Sequence, residues 1–127
     1  MSRCFRFVFV TVLTSILGST VAHAGEPSVL DVKVSSNGNG TYGFSVTIRH
    51  ADTGWDHYAD KFDVMTADGK TLGTRVLYHP HVNEQPFTRS IGRVEVPIGV
   101  NEVTIRAHDK VHKYGTRTMT VKLPPRR

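Results

Sequence analysis

The stretch Thr41-Tyr42-Gly43-Phe44-Ser45-Val46-Thr47-Ile48-Arg49-His50 alternates strictly between small or polar residues and large apolar ones. Successive side chains of a β-strand point to opposite faces, so this period of two predicts a half-buried strand. The even positions from Tyr42 to Ile48 form its apolar face. His50 has the same parity, and the pattern therefore predicts an inward-facing imidazole at the end of the strand.

The same period recurs on both sides of this stretch, whereas helical periodicity hardly occurs. Turn-forming clusters separate the segments, as at 36–40 (Ser-Asn-Gly-Asn-Gly) and 67–70 (Ala-Asp-Gly-Lys). Seven strands are predicted, at about 28–35, 41–50, 56–66, 71–79, 91–97, 102–108 and 116–123. Short strands at this spacing are typical of an immunoglobulin-like, seven-stranded antiparallel β-sandwich, so the predicted fold class is all-β.

One carboxylate departs from the alternation. Asp60 shares the predicted face of Tyr58 and Phe62 in the third strand. A charged group on an apolar face is costly unless it is paired. We therefore expect either a β-bulge near Asp60 or a specific partner for its side chain.

The first 24 residues have the layout of a secretory signal peptide. Two arginines precede the apolar run 7–17, and small residues at 21–24 form the cleavage site, so Gly25 is the predicted mature N-terminus. The apolar run is shorter than the ~20 residues that cross a bilayer. Cys4 precedes this run, whereas the lipidated cysteine of a lipoprotein follows it, so Cys4 is interpreted as an ordinary leader residue.

Cleavage of the 127-residue chain leaves 103 residues, which predicts a single domain at 25–127. This part has no cysteine, which excludes disulfides and thiolate metal ligands within it. Its basic residues are scattered, so no nucleic-acid partner is expected. No second apolar segment follows, so we expect a periplasmic or secreted protein with no stable membrane insertion. No motif supports hydrolysis or phosphoryl transfer.

Six histidines remain after cleavage, and the strand order brings all of them to one end of the predicted sandwich. The connections between strands two and three, four and five, and six and seven emerge at the same end. In or beside these connections lie His50, His57, His79, His81, His108 and His112. Loops on a rigid sandwich can aim several imidazoles at one point, and imidazoles bind Fe, Cu, Ni and Zn. The predicted cofactor is therefore a divalent transition-metal ion, held by a subset of these histidines.

Carboxylates and aromatic residues in the same connections have predicted supporting roles. Metal-bound imidazoles usually donate their second ring N–H to a carboxylate or a carbonyl. The candidate carboxylates are Asp52, Asp56, Glu84 and Asp109. Trp55 and Tyr58 either shield the site from water or pack at its rim. Arg89 is expected to pair with Glu84 or to bind an anion.

Two segments carry a family resemblance. They are His50-Ala-Asp-Thr-Gly-Trp-Asp-His57, which leads into a predicted strand, and Val103-Thr-Ile-Arg-Ala-His108-Asp-Lys-Val-His112-Lys-Tyr-Gly. The first resembles the iron-site segment of superoxide reductases, the desulfoferrodoxin iron-binding domain family. The second is similar to that family's late strand and Cys-Asn-x-His-Gly loop. The resemblance implies an immunoglobulin-like domain that binds iron through His50, His57 and His112.

The chain departs from that family at the axial ligand. It has no cysteine where the thiolate belongs, with His108 the nearest residue, and it lacks the family's early lysine-histidine segment. His79 or His81 is therefore expected to supply a further imidazole. Because the thiolate tunes the iron, superoxide reduction is left open, and Cu(II), Ni(II) and Zn(II) suit a thiolate-free site as well.

The sequence thus predicts an exported, histidine-rich metal-binding β-sandwich, with iron favoured by the resemblance. The alternative is a metal-free periplasmic interaction module that contacts another protein through aromatic residues at the same end, such as Trp55 and Tyr58.

Overall fold

The computed structural model describes residues 25–126, and the predicted signal peptide with Cys4 lies outside them. This part of the chain contains strands and no helix, so the all-β prediction is confirmed. It accordingly holds no helix long and apolar enough to cross a membrane. The strands are β1 (Ser28–Gly38), β2 (Thr41–Arg49), β3 (Ala59–Met65), β4 (Thr71–Val76), β5 (Phe87–Glu95), β6 (Glu102–Asp109), β7 (Lys113–Tyr114) and β8 (Met119–Lys122).

Two sheets form the sandwich. One has three strands in the order β1-β2-β5, and the other has five, in the order β4-β3-β6-β7 with β8 also paired to β6. Each of these pairings is antiparallel, which confirms the predicted arrangement. The finer immunoglobulin-like assignment stays a prediction.

The apolar faces of both sheets fill one core. β2 contributes its even positions from Tyr42 to Ile48, all at most 2% exposed, as the alternation predicts. β3 contributes Phe62 and Val64, and β6 contributes its odd positions from Val103 to Ala107. Burial of each large apolar side chain stabilises the fold by about 1.5–3 kcal/mol. Burial of these apolar side chains therefore stabilises a domain that has no disulfide bonds.

β5 begins earlier than predicted, at Phe87 rather than near residue 91. Phe87 is buried in the core and pairs with Ile48 of β2. The preceding Pro86 conceals this start, because a proline usually marks the boundary of a strand. β1 also differs from the alternation, which places Leu30, Val32 and Val34 on one face: a bulge between Val29 and Asp31 buries Val29 rather than Leu30.

The strand ends near the histidines differ from the prediction as well. β3 begins only at Ala59, so the connection after β2 is longer than expected. β4 ends at Val76 and β5 begins at Phe87, so the connection between them lies earlier in the chain but is no longer than predicted. β6 continues to Asp109. Both expectations for Asp60 are met: the register of β3 and β6 shifts there, and Asp60 Oδ1 lies 2.6 Å from His108 Nδ1. The seventh predicted strand is reduced to β8, with the short β7 before it.

Candidate metal centre

Three connections meet at one end of the sandwich, which we call the histidine end. They are residues 50–58, 77–86 and 110–112, following β2, β4 and β6. Two contacts tie them together: the backbone N–H of His81 donates to Asp52 Oδ2 at 2.6 Å, and His50 Nε2 lies 2.9 Å from Asp109 Oδ2. The strand order thus brings distant parts of the chain to one point, as the sequence predicts.

Asp109 lies at the centre of this end. Its Oδ2 atom is 2.9 Å from His50 Nε2, 3.1 Å from His57 Nε2 and 2.9 Å from His112 Nδ1. Its side chain is fully buried. The three histidines implied by the superoxide reductase resemblance are therefore the three whose ring nitrogens surround one carboxylate oxygen.

The position of Asp109 follows from the alternation of β6. Val103, Ile105 and Ala107 face the core, and Asp109 has the same parity as the last residue of the strand. Its Oδ1 accepts the backbone N–H groups of Val111, at 2.9 Å, and of His112. Aspartate often closes such a turn by bonding its own following backbone. The turn reverses the chain and returns the His112 ring to Oδ2.

Asp52 fixes the orientation of His50. The His50 ring is fully buried, and its Nδ1 hydrogen-bonds to Asp52 Oδ1. Asp52 Oδ1 also accepts the backbone N–H of Ala59 at 3.1 Å, so the carboxylate is held by the start of β3. A carboxylate on one ring nitrogen is how proteins orient a metal-binding histidine. Here it leaves Nε2 of His50 directed at Asp109.

His57 reaches the centre from a tight turn. The backbone N–H of Thr53 donates to the His57 carbonyl at 3.0 Å, and that of His57 donates to the Gly54 carbonyl at 3.3 Å. The tip of the turn carries Trp55, which is 66% exposed and packs edge-on against the buried Tyr58 at 5.8 Å between ring centres. Of the two predicted roles, Trp55 therefore has that of a rim residue.

The electrostatics of Asp109 favour a cation at this point. Burial raises the pKa of its carboxyl group, but hydrogen bonds from His112, His57 and His50 outweigh burial and hold the pKa well below its usual range. Asp109 is thus an ionised carboxylate in the protein interior. A buried charge of this kind requires compensation by an opposite charge.

Asp109 has more nitrogen neighbours than its carboxylate can accept as hydrogen-bond donors. Five nitrogen atoms face the two oxygens of Asp109, whereas a carboxylate offers about four lone-pair sites. His50 also has a carboxylate oxygen at both ring nitrogens, although a neutral imidazole carries one N–H. A cation between Nε2 of His50 and Asp109 would satisfy both groups.

The geometry suits a small transition-metal ion. One ligand atom from each of His50, His57 and Asp109 lies within 4.8 Å of the others. In a tetrahedral site with bonds of about 2.0–2.1 Å, neighbouring ligand atoms are roughly 3.3–3.4 Å apart. The nitrogen to oxygen distances of 2.9–3.1 Å are slightly shorter than this spacing, and His112 contacts the same oxygen without belonging to the three-residue group. The site is open on one side, because the His57 and His112 side chains are 21% and 33% exposed.

The other three predicted histidines lie outside this cluster. His81 is buried, stacks on Phe87 at 4.1 Å, and its Nε2 accepts a hydrogen bond from Arg89 at 3.0 Å. Its Nδ1 is 3.9 Å from Asp52 Oδ2, so it faces the carboxylate that orients His50. His79 is exposed beside it, with ring centres 4.8 Å apart. His108 points to the outer face of its sheet, where it bonds to Asp60.

Two of the four predicted supporting carboxylates lie in the centre, and the other two lie outside it. Asp52 and Asp109 are buried in the centre, whereas Asp56 is exposed and Glu84 pairs with Arg89 at 3.1 Å. The sequence predicts a supporting role for Asp109, while the structure places it where a direct ligand would lie. Its inward parity in β6 was the signal for this position.

A similar sequence occurs in Halomicrobium mukohataei. That protein, named "Putative lipoprotein", is 46% identical over 96 residues, which are 76% of this chain and 47% of the relative. The chain therefore spans about half the length of the relative it matches. No family model and no solved structure matches the chain.

Proposed function

We propose that this protein is an exported metal-binding protein whose ion is held by His50, His57, His112 and Asp109. One observation carries the proposal: three imidazole nitrogens lie within 3.1 Å of a single oxygen of a buried, ionised carboxylate. The chain brings these groups from positions 52 and 59 residues apart, so the cluster is a product of the fold rather than of one local motif.

The donor set narrows the kind of ion. Three imidazoles and one carboxylate suit Fe(II), Cu(II), Ni(II) and Zn(II), whereas Mg(II) and Ca(II) prefer oxygen ligands. The superoxide reductase resemblance favours iron among the four. No thiolate belongs to the set, so we infer a binding or carrier role with weak redox activity, because a thiolate is what would push electron density onto the ion.

Export rests on the predicted signal peptide and on the relative. The Halomicrobium protein is named "Putative lipoprotein", which is consistent with export. We infer that this chain reaches the periplasm or the cell exterior, where it would bind metal outside the reducing cytoplasm.

Thermal unfolding of the untagged protein with each of the four ions tests the metal centre. A free ion at 100 times its dissociation constant stabilises the folded state by ~2.7 kcal/mol, which raises the midpoint by roughly 10–20 °C. The double variant His57→Ala/His112→Ala should lose this shift. The matched double variant His79→Ala/His108→Ala, which removes two imidazoles from the same end, should keep it.

Two results would overturn the proposal. A shift that persists in His57→Ala/His112→Ala would mean that other groups bind the ion. No shift with any of the four ions would favour the second candidate function, a metal-free interaction module.

The second candidate has an observation of its own. Large apolar side chains are exposed around the histidine end, and those of Trp55, Tyr78, Val82 and Val111 are at least half exposed. Apolar side chains gathered around one end of a domain are typical of protein contact surfaces. Such a surface is compatible with a metal centre beneath it, so the thermal unfolding experiment with the four ions decides whether the module binds an ion.

A further inference from the structure

The first residues after the predicted cleavage site run along the loop that carries His112. Glu26 Oε2 accepts hydrogen bonds from the Thr116 backbone N–H, at 3.2 Å, and from its hydroxyl, at 2.9 Å. One step further, Ser28 forms a parallel bridge with Arg117, and the Val29 N–H donates to the Arg117 carbonyl at 3.0 Å. Three successive contacts therefore fasten this segment to the loop between His112 and β8.

Gly115 allows the close approach. A Cβ atom at this position would overlap the Pro27 carbonyl oxygen, so only glycine lets the segment 25–28 pass over the loop. The approach is a fixed feature of the fold, since Gly115 and Pro27 are both buried.

Gly25, the first residue of this segment, lies against the ring of His112. A Cβ built on Gly25 would lie 2.8 Å from Cε1 of His112, 3.4 Å from its Nε2 and 3.6 Å from its Nδ1, and Nδ1 is the ring nitrogen that faces Asp109. The Gly25 nitrogen lies within about 2.5 Å of that Cβ position, because both atoms are bonded to the same Cα. The residue with the predicted new amino terminus thus packs directly on a proposed ligand.

We propose that the α-amino group of Gly25, released by cleavage after Ala24, is a further nitrogen ligand of the ion held by His50, His57, His112 and Asp109. The inference rests on the proposed metal centre and on the predicted cleavage. On binding, the ammonium group loses one proton to solvent and its nitrogen lone pair forms the bond to the ion. No electron is transferred, and no other reactant is needed.

Two properties of the segment favour this role. The contacts of Glu26 and Ser28 hold the terminus beside His112, so little conformational freedom is lost when the amine binds. Gly25 has no side chain to obstruct the His112 ring, and its φ of 97° is one that glycine adopts readily. In the uncleaved precursor the same nitrogen belongs to a peptide bond and is a poor ligand. The complete centre would therefore form only after export.

Isotope labelling tests the bond directly. The exported protein is prepared with ¹⁵N-glycine and natural-abundance histidine, loaded with Cu(II), and examined by pulsed electron paramagnetic resonance. A directly coordinated Gly25 amine should give strong ¹⁵N coupling beside the ¹⁴N coupling of the imidazoles. As a control, selective transamination converts the Gly25 amine into a carbonyl and leaves lysine side chains intact, and it should abolish the ¹⁵N coupling.

Affinity provides the second measurement. Loss of an outer-sphere partner alone weakens metal binding 10–100-fold, so removal of a direct ligand by transamination should weaken Cu(II) binding by at least about tenfold. Mass spectrometry identifies the terminus in the same sample.

The outcomes separate this inference from the proposed function. If Cu(II) binds with imidazole couplings but without ¹⁵N coupling, and transamination changes nothing, the amine is not a ligand and the histidine centre stands. A mature terminus other than Gly25 also overturns the inference. If no Cu(II) binds to the untreated protein, the proposed metal centre itself is wrong.

Discussion

The two ends of the sandwich join their strands in different ways. At the end opposite the histidines, the turn end, the connections β1–β2 and β3–β4 are closed by short-range side-chain bonds: the Thr41 hydroxyl donates to the Gly38 carbonyl three residues away, and Thr66 bonds to Asp68 two residues away. A long-range contact there is between backbone groups, where the Val96 N–H donates to the Gly40 carbonyl at 3.0 Å. At the histidine end, the bonds of Asp109 to His50 and His57 span 59 and 52 residues.

The difference also concerns charge. Asp68 at the turn end is exposed, and a hydrogen bond from Thr66 lowers the pKa of its carboxyl group. Asp52 and Asp109 at the histidine end are fully buried. Buried ions lose their hydration, so they are retained at a cost in stability unless other charges compensate them. The comparison indicates that the histidine end, unlike the turns at 38–41 and 66–70, is built around a buried charge.

The largest expected effect comes from removing that charge. Asp109→Ala should lower the free energy of unfolding by about 3–5 kcal/mol, because it leaves the polar groups of three histidines without their common partner. It should also abolish metal-dependent stabilisation. Urea unfolding measures the first effect and thermal unfolding with metal the second.

The turn end supplies the control for this change. Asp68→Ala removes a carboxylate from a local turn, so we expect a much smaller loss of stability and an unchanged response to metal. Equal losses in the two variants would show that the two ends do not differ as described.

Asp52→Asn should have the next largest effect. The substitution preserves the shape of the side chain but removes the charge that orients His50, so metal affinity should fall by about 10–100-fold. Asp56→Asn, an exposed change in the same connection, is the matched control and should leave affinity unchanged. Competition titration with a chelator of known affinity compares them, and equal affinities for Asp52→Asn and the wild type would contradict the orienting role.

Acidification should weaken both metal binding and the metal-free fold. Ligand imidazoles must be neutral, so affinity should drop as pH falls through the histidine range near ~6.5. In the metal-free protein, burial lowers the pKa of His81 below its usual value of 6.5, and the nearby Arg89 lowers it further.

The sign of the His81 contribution follows from that shift. Unfolded His81 takes up a proton near its ordinary pKa of 6.5, while folded His81 does so only at lower pH. Its stabilising contribution is therefore complete above pH 6.5 and is lost as pH falls toward the folded pKa. In urea unfolding of the metal-free protein, His81→Gln should flatten the loss of stability below pH 6.5, and an unaltered slope would argue against a neutral buried His81.

The smallest effect is expected at His79. This residue is exposed, and its Nδ1 lies 3.3 Å from the carbonyl of the adjacent Pro80. His79→Ala should change the free energy of unfolding by no more than about 0.5 kcal/mol and leave metal affinity unchanged. A clear loss of affinity, measured by the same chelator competition, would extend the centre beyond the cluster around Asp109.

The sequence was informative where the physical signal is local. Alternation identified the core face from Tyr42 to Ile48 and the inward parity of His50, and glycine with asparagine marked the turns. It failed at Phe87, because Pro86 resembles a boundary, and at Val29, because a bulge leaves no trace in the alternation. Both errors arise where register depends on the neighbouring strand.

The sequence predicted that the histidines come together at one end of the sandwich, but it did not identify which of them surround Asp109. Strand order alone indicated that His50, His57 and His112 come together with the other histidines. It did not distinguish them from His108, which has the opposite parity in β6 and faces Asp60 instead. The central place of Asp109 depends on a turn whose geometry appears only once the backbone is known.

The fluorescence of Trp55 can report whether the proposed centre holds an ion. Trp55 is the single tryptophan of the chain, and it lies on the turn between His50 and His57, edge-on to Tyr58. Ultraviolet excitation selective for indole therefore reads out one side chain, on the turn that carries the proposed ligand His57. Paramagnetic ions such as Cu(II) quench indole emission at short range, whereas closed-shell Zn(II) does not quench it by that route. The fluorescence of unlabelled protein can thus follow loading in real time and separate the two classes of ion.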